Sequence, residues 1–346
     1  MMTSLPVVDI SDLLADPTSA RAAAIGAELC TVGHHPGFVH IIGHGVDPDL
    51  ERGLLSVADE FFELPAAERE ALAIAKSAAF RGYTILGDER TGGKADWRDQ
   101  LDYGPEQVAP APGYDGPAWL RLRGPNQWPA SLPHLRPIAL GWMNAMVPVG
   151  VAILRALAQS MGQPADLFDA GFIPHHDLHT KIIRYPARPA ADAEQGVGLH
   201  HDTGLLTFIL QNAVAGLQVM IDEELVTVEP LPGAYVLNLG AMLQTATSGY
   251  LRATPHRVIS PAQPPHRVSV ALFFNPNFES TYEPFALPEE LAALARPDHF
   301  DLNGDTIKTL FGENNLKARL RSHPDVAQRH YRDVVGADVA IGKNES

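Results

Sequence analysis

Between residues 178 and 275 the chain breaks into six short runs: Leu178–Tyr185, Leu205–Gln211, Gly216–Ile221, Ala234–Leu239, Val258–Ser260 and Val268–Asn275, separated by Pro and Gly. Runs of strand length bounded by breakers pair into sheets, and this many at regular intervals point to a barrel or double-sheet sandwich. Upstream the period is helical. Asp16-Pro17 reads as an N-cap followed by proline at the first helical position, and Leu50, Leu54, Val57 and Phe61 recur at helical spacing. Ile138, Trp142, Met146, Val149, Ile153 and Leu157 form the stripe of a long helix that Met161-Gly162 stops. A short strand is expected over residues 37–42, loops and short strands over 81–137, a helix over Pro288–Ala295 and a helical tail over Ile307–Arg321. The fold class is thus mainly β with flanking helices (α+β). A mostly helical part (1–175), a β core (176–285) and C-terminal helices with a tail (286–346) follow without a linker, so residues 1–346 read as one domain.

Composition narrows the function. Lys and Arg number 26 against 41 Asp and Glu, a formal charge of −15. Nucleic-acid and anionic-membrane surfaces need clustered cations, so neither partner is expected. Cys30 stands alone, which excludes a disulfide framework and a thiolate zinc cluster and suits a reducing cytoplasm. The first residues lack the pattern of a secretory signal, and no uncharged stretch is expected to cross a bilayer. The expectation is a soluble cytoplasmic enzyme acting on a small molecule, as a monomer or weak homo-oligomer.

The sharpest local motif is His200-His201-Asp202. In extended chain, residues two apart share a face, so His200 and Asp202 point one way and His201 the other. An imidazole and a carboxylate converging in this way are two ligands of a divalent metal. His256, in Thr254-Pro255-His256-Arg257-Val258, offers a third. Two His and one Asp on one side of a metal, with the opposite positions open, is the facial triad of non-haem Fe(II) sites. By itself His-x-Asp also fits a polar surface turn. Further on, Arg267, Ser269, Ala271 and Phe273 alternate onto one face of an apolar strand. A guanidinium there grips a carboxylate in two-pronged fashion, and a buried Arg requires an anionic partner. The cluster His175-His176-Asp177-Leu178-His179 sits at a helix-to-strand passage, where polar residues cap and turn the chain; His34 and His35 read as loop residues.

Taken in order, these pieces resemble the isopenicillin N synthase-like branch of the Fe(II)/2-oxoglutarate-dependent dioxygenases. The matching motifs are His200-x-Asp202-x-Gly204-x-Leu206-Thr207 with Gln211, Gly216-Leu217-Gln218-Val219, Asn238-Leu239-Gly240, Ser248-Gly249, Thr254 to Val258 and Arg267-x-Ser269. Residues 5–10, Gly37-Phe38, His44-Gly45-Val46, Phe61 to Pro65 and Arg81-Gly82-Tyr83 match in the N-terminal part. The resemblance implies a distorted double-stranded β-helix, or jelly roll, with Fe(II) held by His200, Asp202 and His256. It also implies 2-oxoglutarate as cosubstrate, its distal carboxylate on Arg267 and Ser269, with Tyr185 and Asn238 nearby. O2 and oxidative decarboxylation to succinate and CO2 then drive hydroxylation, as in the tailoring of natural products or amino-acid-derived metabolites.

Ala241 stands where an Asp usually follows Asn-x-Gly, and Thr203 where an aromatic is frequent. Thr207, Phe273, Arg81 and Tyr83 are expected to line the substrate pocket, with residues 81–106 and 186–197 as candidate lids. Two alternatives remain at this stage. One is an oxidase of the same branch, closing rings or desaturating without 2-oxoglutarate; the other is a non-catalytic binding protein on the same fold.

Overall fold

Near-continuous apolar strands let one sheet bury both faces, against helices on one side and a second sheet on the other. In the computed structural model, which describes residues 4–189, 195–296 and 306–336, this produces three layers. The strands in chain order are β1 (Val7–Asp9), β2 (Phe38–Ile42), β3 (Gly82–Thr84), β4 (Arg90–Thr91), β5 (Lys94–Ala95), β6 (Asp99–Tyr103) and β7 (His179–Tyr185). They continue as β8 (Val197–His200), β9 (Leu206–Gln211), β10 (Leu217–Ile221), β11 (Glu224–Thr227), β12 (Tyr235–Leu239), β13 (His256–Val258) and β14 (Arg267–Phe274). The major sheet runs β1-β2-β12-β9-β14-β7-β6-β3 and the minor sheet β11-β10-β13-β8, the jelly-roll arrangement expected; β4 and β5 form a separate ribbon.

The helices are α1 (Ser11–Ala15), α2 (Ala20–His34), α3 (Pro48–Glu63), α4 (Ala66–Glu70), α5 (Leu135–Ser160), α6 (Ala241–Ala246), α7 (Glu289–Ala292), α8 (Phe311–Ser322), α9 (Pro324–His330) and α10 (Arg332–Val335). The helical face of the major sheet buries Ile182, Val270, Leu272 and Phe274 against α3 and α5. Its other face meets the minor sheet through Phe38, Ile183, Ile209, Val219 and Val236.

Several expectations change. α2 starts at Ala20, because Ser19 rather than Asp16 caps it: the Ser19 hydroxyl accepts from the Ala22 N–H at 3.1 Å, while Asp16 accepts from the Thr18 N–H in the preceding turn. The helix expected over Pro288–Ala295 is the single turn α7. Residues 137–154 carry no charge, and α5 is long and apolar enough to cross a bilayer by length and composition, contrary to the expectation. Here it is a core helix, packed on α2, α3 and β14. The part read as mostly helical also gives β1, β2, β3 and β6 to the major sheet. Within the candidate lid at residues 81–106, β3 and β6 are buried throughout and belong to the major sheet, while residues 92–95 of the intervening β4–β5 hairpin are exposed. Of the second candidate lid, residues 190–194 lie outside the described residues. The strands β8 and β11 have no counterpart among the expected runs, and the run expected at Val258–Ser260 pairs instead as His256–Val258.

Candidate metal centre

His200 ends β8 and His256 begins β13, and the two are cross-strand partners in the minor sheet. Their rings stand 4.3 Å apart between centroids. Asp202 lies just past the end of β8, so it is the turn after the strand, not strand alternation alone, that brings its carboxylate back beside His200, at 3.8 Å. One donor atom from each of the three lies within 4.8 Å of the others, the only such metal-capable group among the described residues.

Each ligand atom is held by a second contact. His200 Nδ1 donates to the Gly198 carbonyl (2.9 Å) and His256 Nδ1 to the Thr254 carbonyl (3.1 Å), which leaves both Nε2 atoms as lone-pair donors. Burial lowers the pKa of both rings, that of His256 to about 4 with help from neighbouring His200, so both are neutral at pH 7. Burial alone would raise the pKa of Asp202, but His256 and His200, with hydrogen bonds from Asn238 and Thr207, bring it below the ordinary value. Asn238 Nδ2 donates at 2.8 Å and Thr207 Oγ1 at 2.5 Å, both to Asp202 Oδ2. The Asp202 carbonyl accepts from the N–H of Ala241 at 2.7 Å, so the missing Asp at 241 leaves the loop capped by backbone. Gly240 is required here: a Cβ would come within 2.2 Å of the Gly204 carbonyl oxygen. Two neutral imidazoles and a carboxylate converging in this way fit a divalent iron.

On the facing major sheet, Arg267 is 1 % exposed. Its Nη1 donates to Ser269 Oγ (3.0 Å), its Nη2 to Gln211 Oε1 (2.8 Å), and its guanidinium lies 5.1 Å from the Tyr185 ring centroid. Among the described residues no carboxylate lies within salt-bridge distance, and its Nε is buried without a partner. A buried cation with an unfilled donor is a place for a ligand carboxylate.

The remaining expected residues divide. Tyr185 is brought to Arg267, whereas Asn238 and Thr207 hydrogen-bond Asp202 and so orient its carboxylate. Phe273 and Arg81 border the inter-sheet space: Phe273 lies 5.7 Å from the His179 ring and Arg81 hydrogen-bonds that ring. Tyr83 does not belong there. It points to the helical face, where its hydroxyl donates to Asp99 at 2.9 Å and its ring meets Phe61. Gln211 belongs to a sequence motif that gives it no role of its own; its pairing opposite Ser269 is a cross-strand relation invisible before strand register is known. In the competing histidine cluster, Asp177 pairs with Arg123 (2.7 Å) and His179 with Asp102 (2.8 Å), and no three donors converge. His34 ends α2, its Nδ1 on the Tyr250 carbonyl.

Two family models match the chain. One is a non-haem dioxygenase N-terminal model, described for morphine synthesis, over residues 5–131; the other is the 2OG-Fe(II) oxygenase superfamily over residues 171–276. Among curated proteins, the 2-oxoglutarate-dependent dioxygenase frbJ of Dothideomycetidae sp. is 33 % identical over 94 % of this chain and 91 % of its own length. The homoarginine-6-hydroxylase 2-ODD-C23.2 of Arabidopsis thaliana is 32 % identical over 83 % of this chain and 81 % of its own. Among solved structures, a full-length Neurospora crassa protein crystallised in complex with alpha-KG superposes with a TM-score of 0.73 at 22 % identity, over 91 % of this chain and 95 % of that one.

Proposed function

Since the chain belongs to the Fe(II)/2-oxoglutarate-dependent oxygenases, we propose that His200, Asp202 and His256 hold its iron, that Arg267 and Ser269 hold the distal carboxylate of 2-oxoglutarate, and that its substrate is a small amino-acid-derived metabolite. As a member it is a 2-oxoglutarate-dependent dioxygenase that hydroxylates a small molecule. The observation that carries the ligand assignment is the convergence of three donors within 4.8 Å, with both imidazole Nδ1 atoms committed to backbone carbonyls.

When bound, the iron and 2-oxoglutarate supply O2 activation coupled to oxidative decarboxylation to succinate and CO2. The protein supplies placement. The carbonyls of Gly198 and Thr254 keep the imidazole protons on Nδ1, so no ligand has to lose a proton before metal binds. Asn238 and Thr207 share one oxygen of Asp202, which leaves the other for the metal. Arg267, already squared by Ser269 and Gln211, presents its guanidinium without reorganisation. The apolar layer of Ile183, Ile209, Val236 and Ala271 keeps water from the reacting atoms.

Support for the substrate class comes from the relatives whose names specify one: homoarginine for the plant 6-hydroxylase and 2'-deoxymugineic acid for a barley dioxygenase. The acidic composition and the buried Cys30 thiol support a reducing, cytoplasmic setting. The direct test is to add Fe(II) and 2-oxoglutarate anaerobically and look for the visible charge-transfer band of a chelated Fe(II) site, then admit O2 and measure succinate. Wild type is expected to give both and Arg267→Leu neither at matched 2-oxoglutarate. A band of undiminished strength in the Leu variant overturns the Arg267 assignment.

A further inference from the structure

The inner face of the major sheet has a wall of charges that the proposed iron and 2-oxoglutarate sites leave unused. A ladder of cross-strand neighbours crosses the major sheet on its inner face: Asn238 opposite Thr207, Thr207 opposite Phe273, Phe273 opposite His179. At one end Asn238 and Thr207 hold Asp202. At the other, His179 donates its Nε2–H to Asp102 at 2.8 Å and accepts from Arg81 Nη1 on Nδ1 at 2.7 Å. Neighbouring strands lie about 4.8 Å apart, so His179 stands roughly 10 Å from Thr207. That is the reach of a small metabolite.

The charges on this wall are unevenly paired. Lys181, two residues along β7 from His179 and on the same face, donates to Glu89 at 2.7 Å and stands 4.0 Å from Asp102. Arg319, from α8, reaches Asp102 at 3.2 Å, and Arg98 bridges Glu89 (2.9 Å) and Asp96 (3.1 Å). Of these cations Arg81 alone has no carboxylate in salt-bridge range among the described residues; Asp102, Asp177 and Glu106 act on it only from farther away. His179 adds no charge: burial, then Arg319, hold its pKa well below the ordinary value. Asp102 already accepts from His179, Arg319 and Gln100, whereas Arg81 Nε and Arg98 Nε are buried donors without partners, beside Glu89 Oε2 and Gln100 Oε1, acceptors without a hydrogen bond. A buried guanidinium with no carboxylate in salt-bridge range and an unpartnered Nε is complementary to an anion.

We propose that this wall binds a carboxylate or another oxyanion of the primary substrate, with Arg81 as its main cation and Lys181 and Arg319 beside it. The proposal rests on the oxygenase reading and extends it to the charge of the substrate; it also makes α8, through Arg319, a contributor to specificity. The experiment uses protein loaded with Mn(II) and 2-oxoglutarate without O2. Its thermal melting is followed against a panel of amino acids and hydroxy acids, each paired with its uncharged carboxamide, and including L-homoarginine and its amide. At least one acid is expected to raise Tm where its amide does not, and Arg319→Gln or Arg81→Gln to weaken that acid about tenfold or more. Arg319→Gln guards against misfolding, since Arg319 sits at the wall's outer margin on a surface helix. Acids and amides acting alike, no acid acting, or wild-type affinity in both variants would each overturn the proposal. The Fe(II)–2-oxoglutarate band in the same variants separates the two readings: its retention with no acid preference fails this proposal alone, and its absence from wild type fails the oxygenase assignment beneath it.

Discussion

The two faces of β14 lie on one backbone and do opposite work. Val268, Val270, Leu272 and Phe274 face the helices and are buried among apolar neighbours, with Phe274 stacked on Phe172 at 4.4 Å and edge-on to Phe208 at 5.9 Å. Arg267, Ser269, Ala271 and Phe273 face the minor sheet, where the guanidinium keeps an unpaired Nε. One face is complete without a ligand, and the other is not. Stability should therefore reside on the helical face and function on the inner one, and substitutions that separate them test the division.

The largest effect is expected at the metal. His256→Ala or His200→Ala leaves two ligands, too few to retain a labile divalent ion near neutral pH, and should abolish Fe(II) binding in an anaerobic titration. His201→Ala, outside the cluster, should retain it. Melting of the metal-free protein should change little in comparison, and a collapse of the fold in His256→Ala would show that the inner face carries structural weight too.

Next comes the helical face. Phe274→Ala removes a ring that sits directly over Gly150 of α5, so close that a Cβ on that glycine would meet it at 2.4 Å. The cavity should cost about 3–5 kcal/mol in denaturant unfolding. Intact 2-oxoglutarate affinity in whatever fraction remains folded is expected; a selective loss of affinity at unchanged stability would reverse the assignment of faces.

Arg267→Leu should show the opposite pattern. Removing a buried cation that lacks an anion is close to neutral for the free protein, whereas the bound cosubstrate would lose its charge partner, worth about 2–5 kcal/mol. The check is calorimetric 2-oxoglutarate binding beside unfolding of the same sample. A variant that unfolds several kcal/mol more easily, with affinity unchanged, would make Arg267 a structural residue.

The same division explains what could be read in advance. Short runs separated by breakers announced most of the β core, and the fixed spacing of His200 and Asp202, with Arg267 and Ser269, pointed to the candidate site. What stayed hidden depended on register. That Gln211 lies opposite Ser269, that Thr207 reaches Asp202, and that Tyr83 turns its ring to the helices follow from which strands pair and in what alignment, and a linear pattern does not encode this. β8 is not legible in the sequence because Val197–His200 holds only two apolar residues among glycine and histidine, so its partner β13, not its composition, makes it a strand. Arg319 and Asp102 are 217 positions apart, and only the fold joins them.

The smallest effect is the most discriminating for the inner face. Thr207 stands opposite Phe273 across the ladder and was expected to touch substrate, yet its hydroxyl is spent on Asp202 Oδ2 at 2.5 Å. Thr207→Val keeps the shape and removes only that bond, while Asn238 still holds the same oxygen at 2.8 Å. Contacts of this kind to a ligating group typically change metal affinity by about 10–100-fold. With Asn238 remaining, the lower end is expected, about tenfold in the Fe(II) dissociation constant, with the fold unchanged because a buried methyl replaces a buried hydroxyl. Succinate formation titrated against Fe(II), and separately against a turnover substrate, reads the two roles apart. A positioning residue raises the Fe(II) requirement and leaves the substrate KM alone. A shifted KM at unchanged Fe(II) affinity would return Thr207 to the substrate pocket and move the boundary between metal support and substrate surface one strand closer to Asp202.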